Sequence, residues 1–330
     1  MKKPELLVTP KNSEEIKTLL NAGADAFILG NAEFQSRGRG DFSFQDMAEG
    51  ARMIHEQGKK VYLAIDAIMD NDMVNKLRAS LKDFCELKID AIRVADLGAY
   101  MIVREMMPGT DVHFSDAMML TNHVTANYWI NKGATRTTLA PEITLEDVLQ
   151  IKKEATGEVE ILIHGASFMF TSRRRLIENY LTFQKEFGKE ITLVESGNML
   201  YDEERHLYYP IWENKHGTHI LSGSDVCMID DLSELIDVGV DSFRIDSIAD
   251  GEHLEKLVSF YKVAVDLCIS DRSKYEKARS VLHQEVAKLQ MKNRPLDKGF
   301  YYKPTIYKVN SDRIEAARRE GALGYKNQTK

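Results

Sequence analysis

The sequence predicts an α/β protein whose strands close into a (β/α)₈ barrel of the TIM type, with an insertion after the seventh strand and a C-terminal helical extension. Eight short apolar runs are typical of β-strands, and seven of them are separated by connections long enough to hold a helix. The runs do not alternate regularly between apolar and polar residues, as is typical of strands covered on both faces. A count of strands does not establish closure, so an open doubly wound sheet stays the alternative.

The first three strands are each followed by a helical pattern. The run "ELLVT" (5–9) precedes "SEEIKTLLNAG", where we expect Ser13 to cap the helix and Gly23 to end it. The run "AFILG" (26–30) leads to "SFQDMAEGARMIHEQG", and "KVYLAID" (60–66) leads to "MVNKLRASLKDFCELK". Each pair predicts one βα unit.

The remaining strands follow the same alternation. They are "AIRVAD" (91–96), "DVHFSD" (111–116), "RTTLAPE" (136–142), "EVEILIHG" (158–165) and "DSFRID" (241–246). The stretch from about 166 to 235 is too long for an ordinary βα loop, and its turn formers and aromatic "YYPIW" predict a small insertion at the barrel mouth. We therefore assign residues 1–255 to the barrel with its insertion, and residues 256–330 to C-terminal helices and a polar tail.

Composition excludes several classes of protein. The net charge of −7 argues against a protein that coats nucleic acid through bulk electrostatics, although a focal contact with tRNA stays open. No run approaches the roughly 20 apolar residues that span a bilayer, and the start "MKKPELLVTP" lacks a signal-peptide pattern. We expect a cytoplasmic protein without membrane association. Cys85, Cys227 and Cys268 are widely spaced, so they predict neither a disulfide framework nor a zinc site.

Polar residues recur at the predicted carboxyl ends of the strands. In characterised barrels these ends form the face that carries function. The residues are Asn31, Glu33, Asp66, Asp96, Asp116, Glu142, His164 and Asp246. A single carboxylate at a strand-to-helix junction is often a cap, but the recurrence favours a site.

Cations near the same face can balance these carboxylates. Arg37, Arg39 and Arg173 to Arg175 are the candidates, since a ring of unanswered carboxylates would raise the pKa of each member. This balance fits a polar or anionic small molecule. The predicted catalytic residues are Glu142, His164 and Asp246. The predicted substrate-binding residues are Glu33, Arg37, Asp66, Asp96, Asp116, Arg173, Arg174 and Arg175. No metal site is predicted.

Two of these predictions have competing interpretations. His164 follows the apolar "EILI", so it is either a buried histidine bonded to backbone groups or a general base with an unseen partner. The run Arg173 to Arg175 is a solvated helix start, a phosphate or RNA contact, or a carboxylate clamp. Successive helical residues lie about 100° apart, so all three arginines cannot face one ligand. The sequence has no Gly-rich phosphate loop, nucleophile elbow or HExxH motif, and by itself indicates no catalytic class.

Five motifs carry a resemblance to a known family. They are "AFILGNAEFQSRGRGDFSFQDM", "VADLGA", "IHGASFMFTSRRRLIENYL", "YYPIWENKHGTHILSGSDVCMIDDLSELIDVGVDSFRID" and "NRPLDKGF". From about residue 5 to residue 300 the chain resembles the collagenase-like peptidase family U32. The resemblance implies a barrel. It also implies a role in tRNA, rRNA or ubiquinone hydroxylation, often with an iron–sulfur cluster and often as paired paralogues.

The chain departs from that family at the cluster cysteines. The typical "HGALC", with a second cysteine seven residues on, has Phe168 and Arg175 at these positions. The stretch directly after Tyr180, "LTFQKEFGKEITLVESGN", lacks the expected third cysteine. Only Cys227, in "SGSDVC", keeps its thiol. Because one thiolate cannot replace the four that hold a cluster, we expect no iron–sulfur cluster and no other cofactor.

Other family positions at the mouth differ as well. The family's "STQ", "ARE" and "KIEGR" read "SDA", "APE" and "RIDSI" at 115–117, 140–142 and 244–248. Loss of polar donors leaves their former partners unpaired, so the pocket must bind something else or nothing.

Three hypotheses of function follow. The first is the non-cluster subunit of a paired complex that supports tRNA 5-hydroxyuridine synthesis beside a longer, cysteine-bearing paralogue. The second is a collagenase-like peptidase, and the third is a small-molecule-binding barrel without a partner. Whether the chain is an enzyme by itself stays open at this stage.

Overall fold

The computed structural model describes residues 2–115, 120–188, 197–247, 253–291 and 293–303. Its eight parallel strands close into a barrel, because the last barrel strand pairs with both the first and the seventh. The barrel strands are β1 (Glu5–Val8), β2 (Ala26–Leu29), β3 (Lys60–Ile65), β4 (Ala91–Val94), β5 (Asp111–Phe114), β6 (Arg136–Thr138), β7 (Glu158–Ser172) and β11 (Ser242–Ile245). Closure confirms the predicted barrel and excludes the open sheet.

Helices connect the strands and cover the barrel. They are α1 (Ser13–Ala22), α2 (Phe44–Glu56), α3 (Asn71–Phe84), α4 (Leu97–Met106), α5 (His123–Asn131), α6 (Leu145–Glu154), α7 (Leu176–Glu186), α8 (Leu232–Val238), α9 (Leu254–Ser270) and α10 (Arg272–Lys288). Among the described residues, no helix is long and apolar enough to cross a membrane. All of these helices except α7 contribute buried apolar side chains to one continuous core.

The boundaries of α1 test the predicted caps. The cap at the start is Asn12, whose side chain accepts a hydrogen bond from the Glu15 amide at 2.9 Å, so the prediction of Ser13 is wrong by one residue. The reason is that Asn12 has an extended backbone, whereas Ser13 is already the first helical residue. Gly23 ends the helix as predicted, with a φ of 98° that glycine adopts without strain.

The insertion extends the seventh barrel strand beyond the mouth. Strand β7 is 15 residues long, and its second half pairs antiparallel with β10 (Gly217–Cys227). Strand β9 (Leu207–Asn214) pairs with β10, and β8 (Met199–Asp202) pairs with β9. Helix α7 lies beside this sheet and contacts β9 and β10. The short strand β12 (Leu296–Asp297) pairs with the other end of β10.

The barrel interior contains buried ion pairs as well as apolar side chains. Arg93 on β4 donates to both carboxylate oxygens of Glu160 on β7, at 2.6 and 2.9 Å. Arg136 on β6 bonds Glu5 on β1 at 2.7 Å, nearer the amino ends of the strands. Neither pair joins neighbouring strands, so both cross the interior of the barrel. Charged groups tolerate such burial only when they are paired and hydrogen-bonded.

Candidate functional site

A small chamber lies at the carboxyl ends of the barrel strands. Its polar lining comes from Arg37, Ser115, Thr138, Arg244 and Asp246, beneath the ring of Phe168. The cavity volume is about 30 Å³. A buried water needs roughly 10–15 Å³ by this measure, so the chamber has room for one or two water molecules. A larger ligand requires that part of the roof moves aside.

Arg37 forms the near side of the roof. It is carried by the loop between β2 and α2 and crosses the mouth, where its guanidinium lies 4.5 Å from the ring centroid of Phe168. Its Nη1 donates to the Ser115 carbonyl at 3.5 Å. A cation over an aromatic face gains about 0.5–2 kcal/mol, more when water is excluded. This contact joins the barrel to the insertion directly above the chamber.

Aromatic rings of the insertion continue the roof. Phe168 lies 5.9 Å from His219, and Trp212 stacks on His219 with ring centroids 5.2 Å apart. Burial lowers the pKa of His219 to about 4, with smaller contributions from the charges of His216 and Arg37. The imidazole is therefore neutral near pH 7, and the roof above Arg37 is an uncharged aromatic surface.

The floor of the chamber is formed by buried arginines and their carboxylate partners. Arg93, Arg136 and Arg244 lie within 4 Å of the Glu160 carboxylate, with Arg93 the closest. Burial raises the pKa of Glu160, but the three arginines outweigh it and hold the pKa below its ordinary value. Arg93 also donates to the Ser115 hydroxyl at 3.1 Å. Arg136 is also paired with Glu5 and Glu158, and Arg244 lies 3.7 Å from Asp246, so the floor is a network of paired charges.

Asp246 is the second buried acid of the chamber. Burial raises its pKa, against the opposing charges of Arg244, Arg39 and Arg93. Its Oδ2 lies 3.7 Å from Arg244 Nε, and its Oδ1 has no hydrogen-bond partner among the described residues. An unsatisfied buried oxygen costs about 1–3 kcal/mol. Asp246 therefore has hydrogen-bonding capacity left for a ligand.

Three contacts hold the insertion over the mouth. The Lys215 ammonium pairs with Glu33, and His216 Nε2 lies 2.7 Å from the Ala32 carbonyl oxygen. Arg173 pairs with Asp70 at the start of α3. These residues lie at the tip of the β9–β10 hairpin and at the end of β7, and their partners lie on loops after β2 and β3. The insertion thus covers the chamber through polar contacts at its rim.

His164 is buried beside the chamber rather than in its lining. Its Nδ1 lies 3.2 Å from the Tyr261 hydroxyl, which also bonds the Ile163 carbonyl at 3.1 Å and the Cys227 sulfur at 3.6 Å. The hydroxyl has one proton to donate, so with a carbonyl accepting it, Nδ1 of His164 is the donor. Burial lowers the pKa of His164 to about 4. The described contacts match a buried neutral histidine, and its catalytic role stays a prediction.

Stability should fall in mild acid because of His164. An unfolded histidine titrates near pH 6.5, whereas the folded pKa is about 4, so the unfolded chain binds more protons between these values. Stability is therefore complete above pH 6.5 and is lost as the pH falls towards 4. Between pH 7 and pH 5 the free energy of unfolding of the wild type should fall by about 2 kcal/mol because of His164, and we expect His164→Gln to lack this contribution.

Urea unfolding at pH 7 and pH 5 measures this effect. His123→Gln, at a half-buried position on α5, is the matched control and should keep the wild-type difference between the two pH values. An equal loss in the wild type and in His164→Gln would contradict the assignment.

Several predicted residues have structural contacts outside the chamber. Asp66 accepts a hydrogen bond from the Ser36 amide at 2.7 Å and so holds the loop that carries Arg37. Asp96 caps α4 by accepting from the Ala99 amide at 2.9 Å. Arg39 pairs with Glu15 on α1 at 3.1 Å. The substrate-binding roles of Asp66 and Asp96 stay predictions, as does the role of Arg39 as a cation that balances the carboxylates.

The other predicted residues are spread around the rim. Glu33 lies between Lys76 and Lys215, and Glu142 is exposed in the loop after β6. Asp116 lies outside the described residues. Of the arginine run, Arg173 pairs with Asp70, Arg174 is exposed, and Arg175 pairs with Glu178 at 2.8 Å and Glu213 at 3.4 Å. All three precede the first residue of α7, so the helical spacing does not apply to them, and Arg173 and Arg175 have different partners. Of the predicted site, the chamber contains Arg37 and Asp246.

The floor residues Arg93, Glu160 and Arg244 are absent from the predicted site. Each is a charged residue within an otherwise apolar strand run, in "AIRVAD", "EVEILIHG" and "DSFRID". A charge in such a run must find a partner inside the barrel, so this signal was available. The sequence does not show which strands the partners come from.

Comparison with known proteins gives a family and two named relatives. The sequence profile of Peptidase family U32 matches residues 11–310. The chain is 42% identical over 309 residues to tRNA hydroxylation protein P2 of Bacillus subtilis (strain 168), covering 93% of this chain and 100% of that protein. It is 27% identical over 273 residues to tRNA hydroxylation protein P1 of the same organism, covering 82% of this chain and 65% of P1.

A solved structure supports the fold alone. Dihydrodipicolinate synthase DapA-2 from Bacillus anthracis superposes with a TM-score of 0.50 and 8% sequence identity, covering 98% of this chain and 99% of that one. At this identity the likeness carries no information about chemistry.

Proposed function

The chain belongs to peptidase family U32, and we propose that it is the non-cluster subunit of a paired complex that supports 5-hydroxylation of wobble uridine in tRNA. The observation that carries the proposal is 42% identity along the whole length of tRNA hydroxylation protein P2. Bacillus subtilis also has P1, of which the matched region covers only 65%. The partner is accordingly a longer paralogue of the same family, and the complex works in the cytoplasm.

The donor set supports the absence of an iron–sulfur cluster from this chain. At the mouth, the family's two strand-seven cysteine positions carry Phe168, which contacts Arg37, and Arg175, which pairs with Glu213. Cys227 is buried against the Tyr261 hydroxyl, and burial raises the pKa of its thiol. A cluster needs about four thiolates, and a protonated buried thiol is a poor ligand. The residues present do not fit the group, so the cluster chemistry is assigned to the paralogue.

The chamber supports binding of a small polar or anionic molecule. Arg37, Arg93 and Arg244 exceed the nearby buried carboxylates in charge, and Asp246 offers an oxygen without a partner among the described groups. A molecule larger than two waters enters only when Arg37 or the insertion moves. In this proposal the chain contacts tRNA at only a few positions. Arg174, which is exposed on the insertion, is one candidate for such a contact. Glu142 and His164 remain candidate catalytic residues within this proposal.

Nucleoside mass spectrometry of bulk tRNA tests the proposed function. Deletion of the gene, in a host without another route to 5-hydroxyuridine, should eliminate 5-hydroxyuridine and its derivatives. Deletion of the longer paralogue should give the same loss, and a plasmid copy of the chain should restore the nucleoside. Unchanged modification in the deletion strain would refute the proposal. If the wild type cleaves gelatin and both Glu142→Ala and His164→Ala abolish the cleavage, the hypothesis of a collagenase-like peptidase is favoured instead.

A further inference from the structure

Helix α7 carries an apolar stripe that nothing in the described chain covers. Leu176, Tyr180, Phe183 and Phe187 follow one another at helical spacing and are 37–67% exposed. None of the 11 residues of α7 is buried. The flank of the helix with Ile177 and Leu181, roughly 100° further round, is only half-buried. An apolar stripe on a helix normally packs against a neighbour, and among the described residues no neighbour covers this one.

The sheet beside α7 adds two more apolar side chains to the same face. The Leu176 amide donates to Thr218 Oγ1 at 2.9 Å, which places α7 on the face of β10 that carries Thr218 and Ile220. Ile220 is opposite Ile211 on β9 and Phe170 on β7, so Phe170 shares this face. Leu200 on β8 is opposite Tyr209, two residues before Ile211, and shares it as well. We call these six exposed residues the α7 face: Phe170, Leu176, Tyr180, Phe183, Phe187 and Leu200.

The area of the α7 face is sufficient for a stable complex. The six exposed fractions amount to about three whole side chains, or roughly 600 Å² at about 200 Å² each. The largest apolar patch on a typical monomer is about 300–600 Å². Since interfaces are only about 57% apolar, 600 Å² of apolar surface corresponds to about 1,000 Å² buried per partner. Standard complexes bury about 800 Å² per partner.

The charges around the α7 face favour a protein over RNA. Arg175 is engaged by Glu178 and Glu213, and α7 itself carries Glu178, Lys185 and Glu186. RNA binding through exposed aromatic rings requires surrounding cations that neutralise phosphates. A face with balanced charge and a wide apolar centre instead matches the anatomy of a protein interface.

We propose that the α7 face is the docking surface for the longer paralogue, an inference that rests on the proposed function. It places the interface on the outer side of the insertion, whose inner side carries Phe168, Trp212 and His219 above the chamber. Because both sides belong to the same sheet, the docked paralogue lies across that sheet from the roof of the chamber. The proposal assigns to the insertion a role as the connection between the partner and the pocket.

Binding measurements on charged variants test this docking surface. The double variant Phe183→Glu and Phe187→Glu should weaken binding to the purified paralogue at least about 30-fold, because buried charges replace two aromatic anchors. Tyr180→Arg is an independent variant at a neighbouring position. Both change exposed residues and should leave thermal unfolding unchanged. Met101→Glu on α4 and Val281→Glu on α10 make the same change at equally exposed apolar positions and should bind like the wild type.

The outcomes separate this inference from the proposed function. Wild-type binding by the folded α7 variants would overturn the inference. If the chain self-associates and the same variants abolish this, the occupant of the α7 face is a second copy and not the paralogue. If the α7 face binds tRNA, the paralogue is likewise excluded as its occupant. If gene deletion abolishes tRNA modification but the α7 variants bind the paralogue like the wild type, the proposed function is supported and the α7 face is not the docking surface. If the α7 variants lose binding and tRNA modification while the control variants keep them, the result supports both the docking surface and the proposed function.

Discussion

Replacement of Gly165 by alanine is expected to lower the free energy of unfolding by at least about 3 kcal/mol. Gly165 has a φ of 109°, and a Cβ built on it would lie 1.8 Å from the Asp246 carbonyl oxygen. Both atoms belong to backbone segments, and neither can rotate away. Strands β7 and β11 would have to separate where the Asp246 amide bonds the His164 carbonyl at 2.9 Å. The variant should therefore lose the mouth of the barrel or fail to fold.

Urea unfolding and soluble yield measure the effect of Gly165→Ala. Gly58→Ala is the matched control, since Gly58 also has a positive φ, of 65°, but no atom lies within 4 Å of the position that a Cβ would take there. The control should show backbone strain alone, about 1–2 kcal/mol. Equal losses of stability in the two variants would show that the close approach at Asp246 is absent.

Replacement of Glu160 by glutamine is expected to cost about 3–5 kcal/mol. Glu160 is fully buried, accepts both hydrogen bonds of the Arg93 fork and lies within 4 Å of Arg136 and Arg244. Its neutralisation leaves the buried Arg93 guanidinium against an uncharged amide, whereas Arg136 keeps Glu5 and Glu158, and Arg244 keeps Asp246. The loss should appear as a lower urea midpoint with an unchanged slope, since the surface exposed on unfolding stays the same.

Two further variants separate burial from pairing. Glu105→Gln breaks an equally bidentate pair with Arg78 on the exposed surface and should leave the midpoint unchanged, because solvent screens that pair. The double variant Arg93→Met and Glu160→Leu should recover much of the loss, since apolar residues can replace a buried ion pair. A double variant less stable than Glu160→Gln would contradict this account of the floor.

The barrel was predictable because its signals are local. Each strand run is apolar and each connection has helical spacing, so the order of elements follows from short windows of sequence. The ends of the strands were less predictable. The predicted runs included Asp66 and Asp96, but the strands stop before them. Asp66 bonds a backbone amide of the loop after β2, and Asp96 bonds one in the helix that follows it. Polar residues that cap and polar residues that bind look alike in sequence.

The site was only partly predictable because its contacts are not local. Arg37 and Asp246 were predicted and line the chamber, whereas Arg93 meets Glu160 across 67 positions of the chain, which no short pattern reveals. The roof depends on the pairing of β7 with β10, since Phe168 meets His219 only in that register. The sequence indicated an insertion at the mouth, but the fold of the insertion decides which of its residues face the chamber.

We propose that this chain supports tRNA hydroxylation without a thiol of its own. Nucleoside mass spectrometry tests it most directly in the deletion strain that carries the chain with Cys85, Cys227 and Cys268 all replaced by alanine. We expect 5-hydroxyuridine to return to the level given by the wild-type chain. If the variant is folded and binds the paralogue but the nucleoside does not return, the proposal that the chain needs no thiol is contradicted.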